Sequence, residues 1–372
     1  MAFLITVLVG ALLLACAQSP SGPSASSAEG VTRIPVGRGP SALALADLNA
    51  DGLLDAVAGN ETSRDVTVLL GDGRGGLRSA RGSPFPAGSN PADIAVGDFD
   101  RDGIPDLAVA NHETSLVTVL VGNGAGGFAL ARGSPLETGS RPHVHSVATA
   151  DFDGDGNLDL VVESADTDGV HVLWGDGRGG YSRPAAYVVG DLPYFRVRAG
   201  DLDGDSRPDI AVALSRPGTV AVLRSDGRGG FMAAPGSPYP AGGQNPLNVA
   251  IGDLNGDRRT DLVVVHAGGL SILLGSSFRS SGSPLRAGTD PTNLALGDIN
   301  GDGVLDLAVS NFTSNDVTLF LSGPCGPAAT TRALSVGRRP KEVAVGDLDR
   351  DGRADVLVTD FFDDDIALWL SR

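Results

Sequence analysis

Seven times this chain returns to one nine-residue loop, Asp-x-Asp/Asn-x-Asp-Gly-x-x-Asp or a near variant. The loops begin at Asp47, Asp98, Asp151, Asp201, Asp253, Asp298 and Asp347, so successive steps are 51, 53, 50, 52, 45 and 49 residues. A period of this size is the mark of an array of supersecondary units, each unable to bury its apolar face alone. One closed array of seven accounts for the 372 residues better than two unrelated domains.

Laid over one another, the units repeat strand by strand. Each opens near a proline (Pro40, Pro91, Pro142, Pro193, Pro246, Pro291, Pro340) and runs into a short alternating segment such as Leu43-Ala44-Leu45-Ala46 or Ile94-Ala95-Val96-Gly97. Large residues on one face and Ala or Gly on the other give the period-2 pattern of a strand. After the acidic loop comes a run apolar on both faces, for example Leu107-Ala108-Val109-Ala110, which must be covered on both sides. A polar connection leads to a third strand such as Val66-Thr67-Val68-Leu69-Leu70, then a Gly-rich turn, then a fourth segment bearing Gly-Ser-Pro. Four strands per unit, seven times, with almost no helix signal, predict an all-β, seven-bladed β-propeller. The last unit stops after its third strand at Trp369-Leu370-Ser371-Arg372. Val31-Thr32-Arg33-Ile34-Pro35-Val36-Gly37 resembles Ala333-Leu334-Ser335-Val336-Gly337 and is expected to complete that blade as its outer strand, closing the ring and removing an exposed edge.

Carboxylates at positions 1, 3, 5 and 9 of a loop aim alternate oxygens at one centre, Gly at position 6 allows a sharp turn, and position 7 can add a carbonyl. Hard oxygen ligands in that number suit calcium better than zinc or magnesium. An EF-hand would need Glu at position 12, where this chain has Ala58, Val109, Val162, Val212, Val264, Val309 and Val358. Position 9 must close the site instead. Position 6 is Ser206 in the fourth loop and Arg258 in the fifth, so these two are expected to bind more weakly, a left-handed backbone costing a non-Gly residue about 1 kcal/mol.

These seven motifs in register resemble the FG-GAP (VCBS-type) repeat family, whose seven-bladed propeller is found in integrin α-subunits. The resemblance spans Val31 to Arg372 and implies calcium, up to seven ions, in loops joining the first and second strands. By position, the implied ligands are Asp47, Asn49, Asp51 and Asp55; Asp98, Asp100, Asp102 and Asp106; Asp151, Asp153, Asp155 and Asp159; and Asp201, Asp203, Asp205 and Asp209. The last three loops would use Asp253, Asn255, Asp257 and Asp261; Asp298, Asn300, Asp302 and Asp306; and Asp347, Asp349, Asp351 and Asp355.

Charge follows from that inventory. The net charge is −17, and 25 of the 45 acidic residues are these loop aspartates, so seven divalent ions would leave about −3. No basic patch exists to neutralise phosphates, which argues against nucleic acid as a partner. The segments beginning Gly71, Gly122 and Gly175 match a dinucleotide fingerprint formally, but each leads to another strand where nucleotide binding needs a helix. They read as hairpin turns, and no nucleotide is expected.

Residues 1–15 are nearly all apolar and too short to span a bilayer comfortably, and read as a signal peptide ending Leu13-Leu14-Ala15-Cys16, like a bacterial lipobox. Cys16 would be the lipidated residue, although no Lys or Arg precedes the apolar run. Residues 16–30 are a Ser/Pro/Ala/Gly tether to the propeller of 31–372. The expected location is therefore the cell envelope, with the membrane reached only through lipid. Cys325 is the one other cysteine, so the body has no internal disulfide.

A ligand is expected on the face opposite the acidic loops, where the units stop being alike. The third unit has two extra residues in Arg141-Pro142-His143-Val144-His145, and a His pair at i and i+2 on one strand face can hold a transition metal. Tyr194, Arg196, Asn248, Asn293, Lys341 and Glu342 occupy comparable entries, and Phe361 and Phe362 sit among acids at Asp360 to Asp365. The leading reading is a non-enzymatic, monomeric scaffold for a protein or glycan partner, since no nucleophile–base pair appears. A lectin is the nearest alternative, but 5% aromatics show no recurrent sugar platform. A hydrolase or lyase using His143, His145, Glu163, Asp166 and Asp168 is the third.

Overall fold

A computed structural model describes residues 25–26, 30–140, 142–164, 167, 169–190, 193–282, 284–323 and 326–372. The expected signal and tether of residues 1–30, with Cys16, lie almost wholly outside the described residues, as do Arg141, Asp166, Asp168 and the side chain of Tyr194.

Seven antiparallel sheets of four strands each follow one another in chain order. In the first, Pro40–Ala46 pairs with Asp55–Asn60, which pairs with Asp65–Gly71, which pairs with Leu77–Ser79. The second strand of every blade is buried along its whole length, as the two-faced apolar runs require. Alternation along it feeds two different cores. Val57 packs toward the second blade while Ala56 and Ala58 pack toward the seventh. Among the described residues the apolar side chains sort into seven such clusters, one per interface between neighbouring blades. The ring is held together by these interfaces rather than by a single centre.

Closure is as expected. Val31–Pro35 pairs antiparallel with Asp365–Trp369, from Val31 opposite Trp369 to Pro35 opposite Asp365. Arg33 then lies 3.1 Å from both Asp360 and Asp365, an ion-paired clasp between the two ends of the chain. Ahead of this strand, Ala25–Ser26 runs parallel to Ala333–Leu334 of the sixth blade, a pairing the repeat pattern did not announce.

The outer strand differs from its expected position. In the first, second and fourth blades it is broken, and Gly-Ser-Pro forms the break rather than the strand. Leu77–Ser79 and Phe85–Pro86 pair separately with the third strand, and between them Ser83 Oγ accepts the Val68 N–H at 2.9 Å. Ser134 and Ser237 serve Val119 and Val222 in the same way, so the hydroxyl replaces the missing ladder bond. The Gly-rich segments are hairpin turns: Asp72 Oδ1 accepts the N–H groups of Arg74 and Gly76, and the chain enters another strand.

Candidate functional site

The acidic loops join first to second strands on one face of the ring. In each, both oxygens of the position-9 aspartate accept backbone N–H groups. Asp106 takes Phe99 N–H at 2.9 Å and Gly122 N–H at 2.8 Å, tying its own loop to the end of the third strand. Asp55, Asp159, Asp209, Asp261, Asp306 and Asp355 repeat the arrangement. Position 1 accepts the N–H of position 6, as in Gly103 to Asp98 at 3.0 Å, and position 5 accepts that of position 7, as in Ile104 to Asp102 at 2.8 Å. The backbone thus shapes an open cup lined with carboxylate oxygens.

Three carboxylate oxygens fall within 4.8 Å of one another in the second, third, fourth and seventh loops, a donor set able to hold a divalent cation. The other three loops have Asn at position 3, and there Asn49, Asn255 and Asn300 turn Nδ2 onto Asp51, Asp257 and Asp302. Burial pushes Asp106, Asp159, Asp209 and Asp355 up to about 6, with repulsion from neighbouring loop carboxylates adding to it. A cation in the cup would relieve that repulsion.

Two turns of each loop, not one, are left-handed. Position 6 has φ near 79° at Gly52 and 68° at Ser206, but position 4 has φ of 59° at Ala50 and 63° at both Arg101 and Arg350. Every loop keeps glycine at one or both positions. The backbone argument that set Ser206 and Arg258 apart therefore applies equally to the first, second and seventh loops. The fourth loop differs for another reason: Arg224 Nε sits 3.1 Å from Asp203, where a cation would have to compete with it.

At the other end of the first strands, one position per blade forms a belt around the channel: Ala42, Asp93, Ser146, Arg196, Asn248, Asn293 and Glu342, all buried. Arg196 reaches across the ring to Asp93 of the second blade and Glu342 of the seventh. Asn293 Nδ2 donates to Glu342 at 2.6 Å, and Ser146 Oγ donates to Asp93 at 2.7 Å. Burial works to raise Asp93, but the charges of Arg196 and Arg198 outweigh it and hold the carboxyl below its ordinary value. Both amide atoms of Asn248 are buried without a protein partner, places for ordered water in the channel.

Above the belt opens a funnel with a cavity of about 410 Å³, lined among others by Glu61, His112, His145, Asn293, Phe312 and Lys341. Arg196 and Glu342 form part of its floor. Lys341 pairs with Glu61 at 2.7 Å and lies 4.0 Å over the Phe361 ring. Arg339 lies over Phe312 in the same manner, and Phe362, edge-on to Phe361, is 54% exposed.

The predicted histidine pair is not on a strand, which begins only at Val147. The lengthened entry turns His143 outward with φ of 91°, while His145 points in and Nδ1 meets the buried Glu163 at 3.1 Å. Glu163 also accepts the backbone N–H groups of His145 and Ser146. Burial pushes Glu163 well above the usual carboxylate range and holds His145 down to about 4.

The structure thus brings His145, Arg196, Asn293, Lys341 and Glu342 to one cavity, sets His143, Phe361 and Phe362 at its rim, and buries Asn248 in the belt below. Sequence reasoning missed His112, Phe312, Glu61 and Asp93. The first three share one register position with Phe361, just after the second strand, and aligning the units on their second-strand ends would have exposed them.

Fold and loops together define a seven-bladed propeller with acidic first-to-second-strand loops. The chain belongs to the FG-GAP-like repeat family, whose profile matches residues 47–109, 102–162, 201–264, 253–309 and 298–358. No significant match was found among curated proteins. Among solved structures, BBS1N in complex with ARL6DN is similar, at TM-score 0.63 and 15% identity, over 91% of this chain and 94% of that one. The virginiamycin B lyase of Staphylococcus aureus aligns at TM-score 0.59 and 9% identity, over 91% of this chain and 98% of that one. An Agrocybe aegerita lectin specific for non-reducing terminal N-acetylglucosamine gives 0.56 and 17%, over 92% and 85%. At these identities the likeness is one of fold.

Proposed function

We propose that the chain is a calcium-stabilised, lipid-tethered scaffold of the cell envelope that presents its funnel face to a protein partner. The observation that carries this reading is the contrast along one strand. Its loop end keeps aspartate at positions 1, 5 and 9 of the loop in all seven blades, while its funnel end carries a different residue in nearly every blade. Repetition on one face serves the fold; divergence on the other is what recognition of a particular surface requires. An exposed Phe362 beside paired Lys341 and Phe361 supplies the mixed aromatic and charged surface common at binding faces. BBS1N, with its bound ARL6DN, offers a precedent for a propeller of this shape engaging protein. Calcium is supported by the hard oxygen cups and the family.

A glycan partner is the second reading. Phe312 and Phe361 occupy equivalent positions in adjacent blades, each with a cationic side chain over its ring, and a lectin is among the similar folds. A hydrolase or lyase centred on the His143/His145 region is the third, with a lyase among those folds.

The test is a pull-down from envelope extract in calcium, with the wild type beside Phe361→Ala/Phe362→Ala. The double variant should keep its melting temperature within about 1–2 °C and lose the retained protein. Identical retention by both would overturn the assignment of this face; capture abolished by glycosidase treatment would favour the glycan. Lipidation is tested separately: Cys16→Ser should release the chain from membranes into the soluble fraction.

A further inference from the structure

Three imidazoles from two blades meet at the funnel rim. His112 comes from the turn after the second strand of the second blade, and His143 and His145 from the lengthened entry of the third. His143 Nδ1 lies 3.3 Å from His112 Nε2. Ring centroids are 5.1 Å apart for that pair, 4.4 Å for His112 and His145, and 6.2 Å for His143 and His145.

We propose that His112, His143 and His145 form a site for a first-row divalent ion of the zinc type, distinct from the acidic loops on the opposite face. The donor set decides the class: imidazoles without thiolate suit Zn, Cu, Ni or Fe, whereas the loops offer the hard oxygens that calcium prefers. Distance agrees with it. Two nitrogens each roughly 2.0–2.1 Å from one tetrahedral ion stand about 3.3 Å apart, the separation seen between His112 and His143. Read instead as an N–H···N hydrogen bond, the same distance is long.

Two further features fit. His145 is held by the buried Glu163, and a carboxylate behind a histidine ligand is the usual device that fixes its ring. His143, a non-glycine residue, keeps φ at 91°, and backbone strain of this kind concentrates at sites that use it. The cations nearby are already matched: Lys341 to Glu61, and Arg196 to Asp93 and Glu342. Among the described residues only the acidic loops already bring three ligand atoms within 4.8 Å of one another. The histidine site is therefore a two-nitrogen pair, His112 and His143, whose solvent-reaching rings turn toward the fixed His145 as the ion enters. Three protein ligands leave a fourth position facing the cavity, open to water or to an oxygen of a docked partner.

The experiment titrates the full chain with Co²⁺ and then Zn²⁺, in calcium sufficient to fill the acidic loops. One equivalent should bind with the visible absorption of a nitrogen-ligated Co²⁺ site and be displaced by Zn²⁺. The His112→Gln/His143→Gln variant should lose at least about tenfold in affinity, while Asp302→Asn, on the opposite face, should not change it. No binding by the wild type, or equal binding by the double variant, overturns the site. Both substituted histidines reach solvent, so the variant is expected to fold. In the unaltered chain, one equivalent of Zn²⁺ should protect histidine from diethylpyrocarbonate; absence of protection also overturns it.

Discussion

Each first strand of the propeller has two ends, and they behave oppositely. At the loop end, position 9 is aspartate in all seven blades, and each one spends both oxygens on the same two backbone N–H groups. At the funnel end, the equivalent belt position is Ala42, Asp93, Ser146, Arg196, Asn248, Asn293 and Glu342 in turn. Five of them, Asp93, Ser146, Arg196, Asn293 and Glu342, pair with one another between blades, with Arg196 bridging Asp93 and Glu342. The loop end is local chemistry repeated; the belt is non-local chemistry that exists only once the ring has closed. Each end is a means of placing carboxylates in a protein interior, one against backbone N–H groups, the other against a guanidinium.

The comparison breaks first under chelation. Removing calcium with EGTA should lower the melting temperature by roughly 10 °C or more, because each filled site contributes by mass action to the folded state alone. An unchanged calorimetric melt would remove the metal half of the contrast.

Next in size is the belt. Arg196→Met leaves Asp93 and Glu342 buried without their partner and should cost about 3–5 kcal/mol in denaturant unfolding. Adding Asp93→Asn and Glu342→Gln to it should recover much of that loss, which no loop substitution should do.

Within one loop, Asp106→Asn should cost about 1–3 kcal/mol with or without calcium, since an amide cannot accept both N–H bonds. Asp102→Asn should cost stability only when calcium is present. Equal calcium dependence for the two would show that position 9 is a ligand first and a brace second.

The last test is one of pH on the calcium-free chain. Asp106, Asp159, Asp209 and Asp355 titrate near 6 when folded against 3.8 for the ordinary side chain. Their contribution is complete below the unfolded value and is lost as pH rises through about 6, so metal-free stability should fall between roughly pH 4 and 6. With calcium the trend should reverse, because the ion takes the deprotonated form. Melting curves at both pH values, with and without EGTA, check the sign.

Blade number, strand order, the closing strand and the acidic loops were legible in the chain because they rest on period and local pattern. Val31–Pro35 could be assigned to the last blade from its likeness to the segment at Ala333, and the pairing with Trp369 follows. The outer strands were less legible, since a serine hydroxyl substitutes for a ladder bond at Gly-Ser-Pro. Position 4 of the loops was missed because Ala50, Arg101 and Arg350 carry no glycine to mark a left-handed turn.

What the sequence determined alone is the repeated part: alternation, the buried second strands and seven acidic cups, each set by residues within about ten positions of one another. What only the tertiary structure decided is which unlike residues meet. Arg196 and Glu342 lie 146 residues apart, and His112 and His143 lie 31 apart in different blades. Closing the ring places every blade's entry on one axis, and no local pattern encodes which side chain then faces which across it.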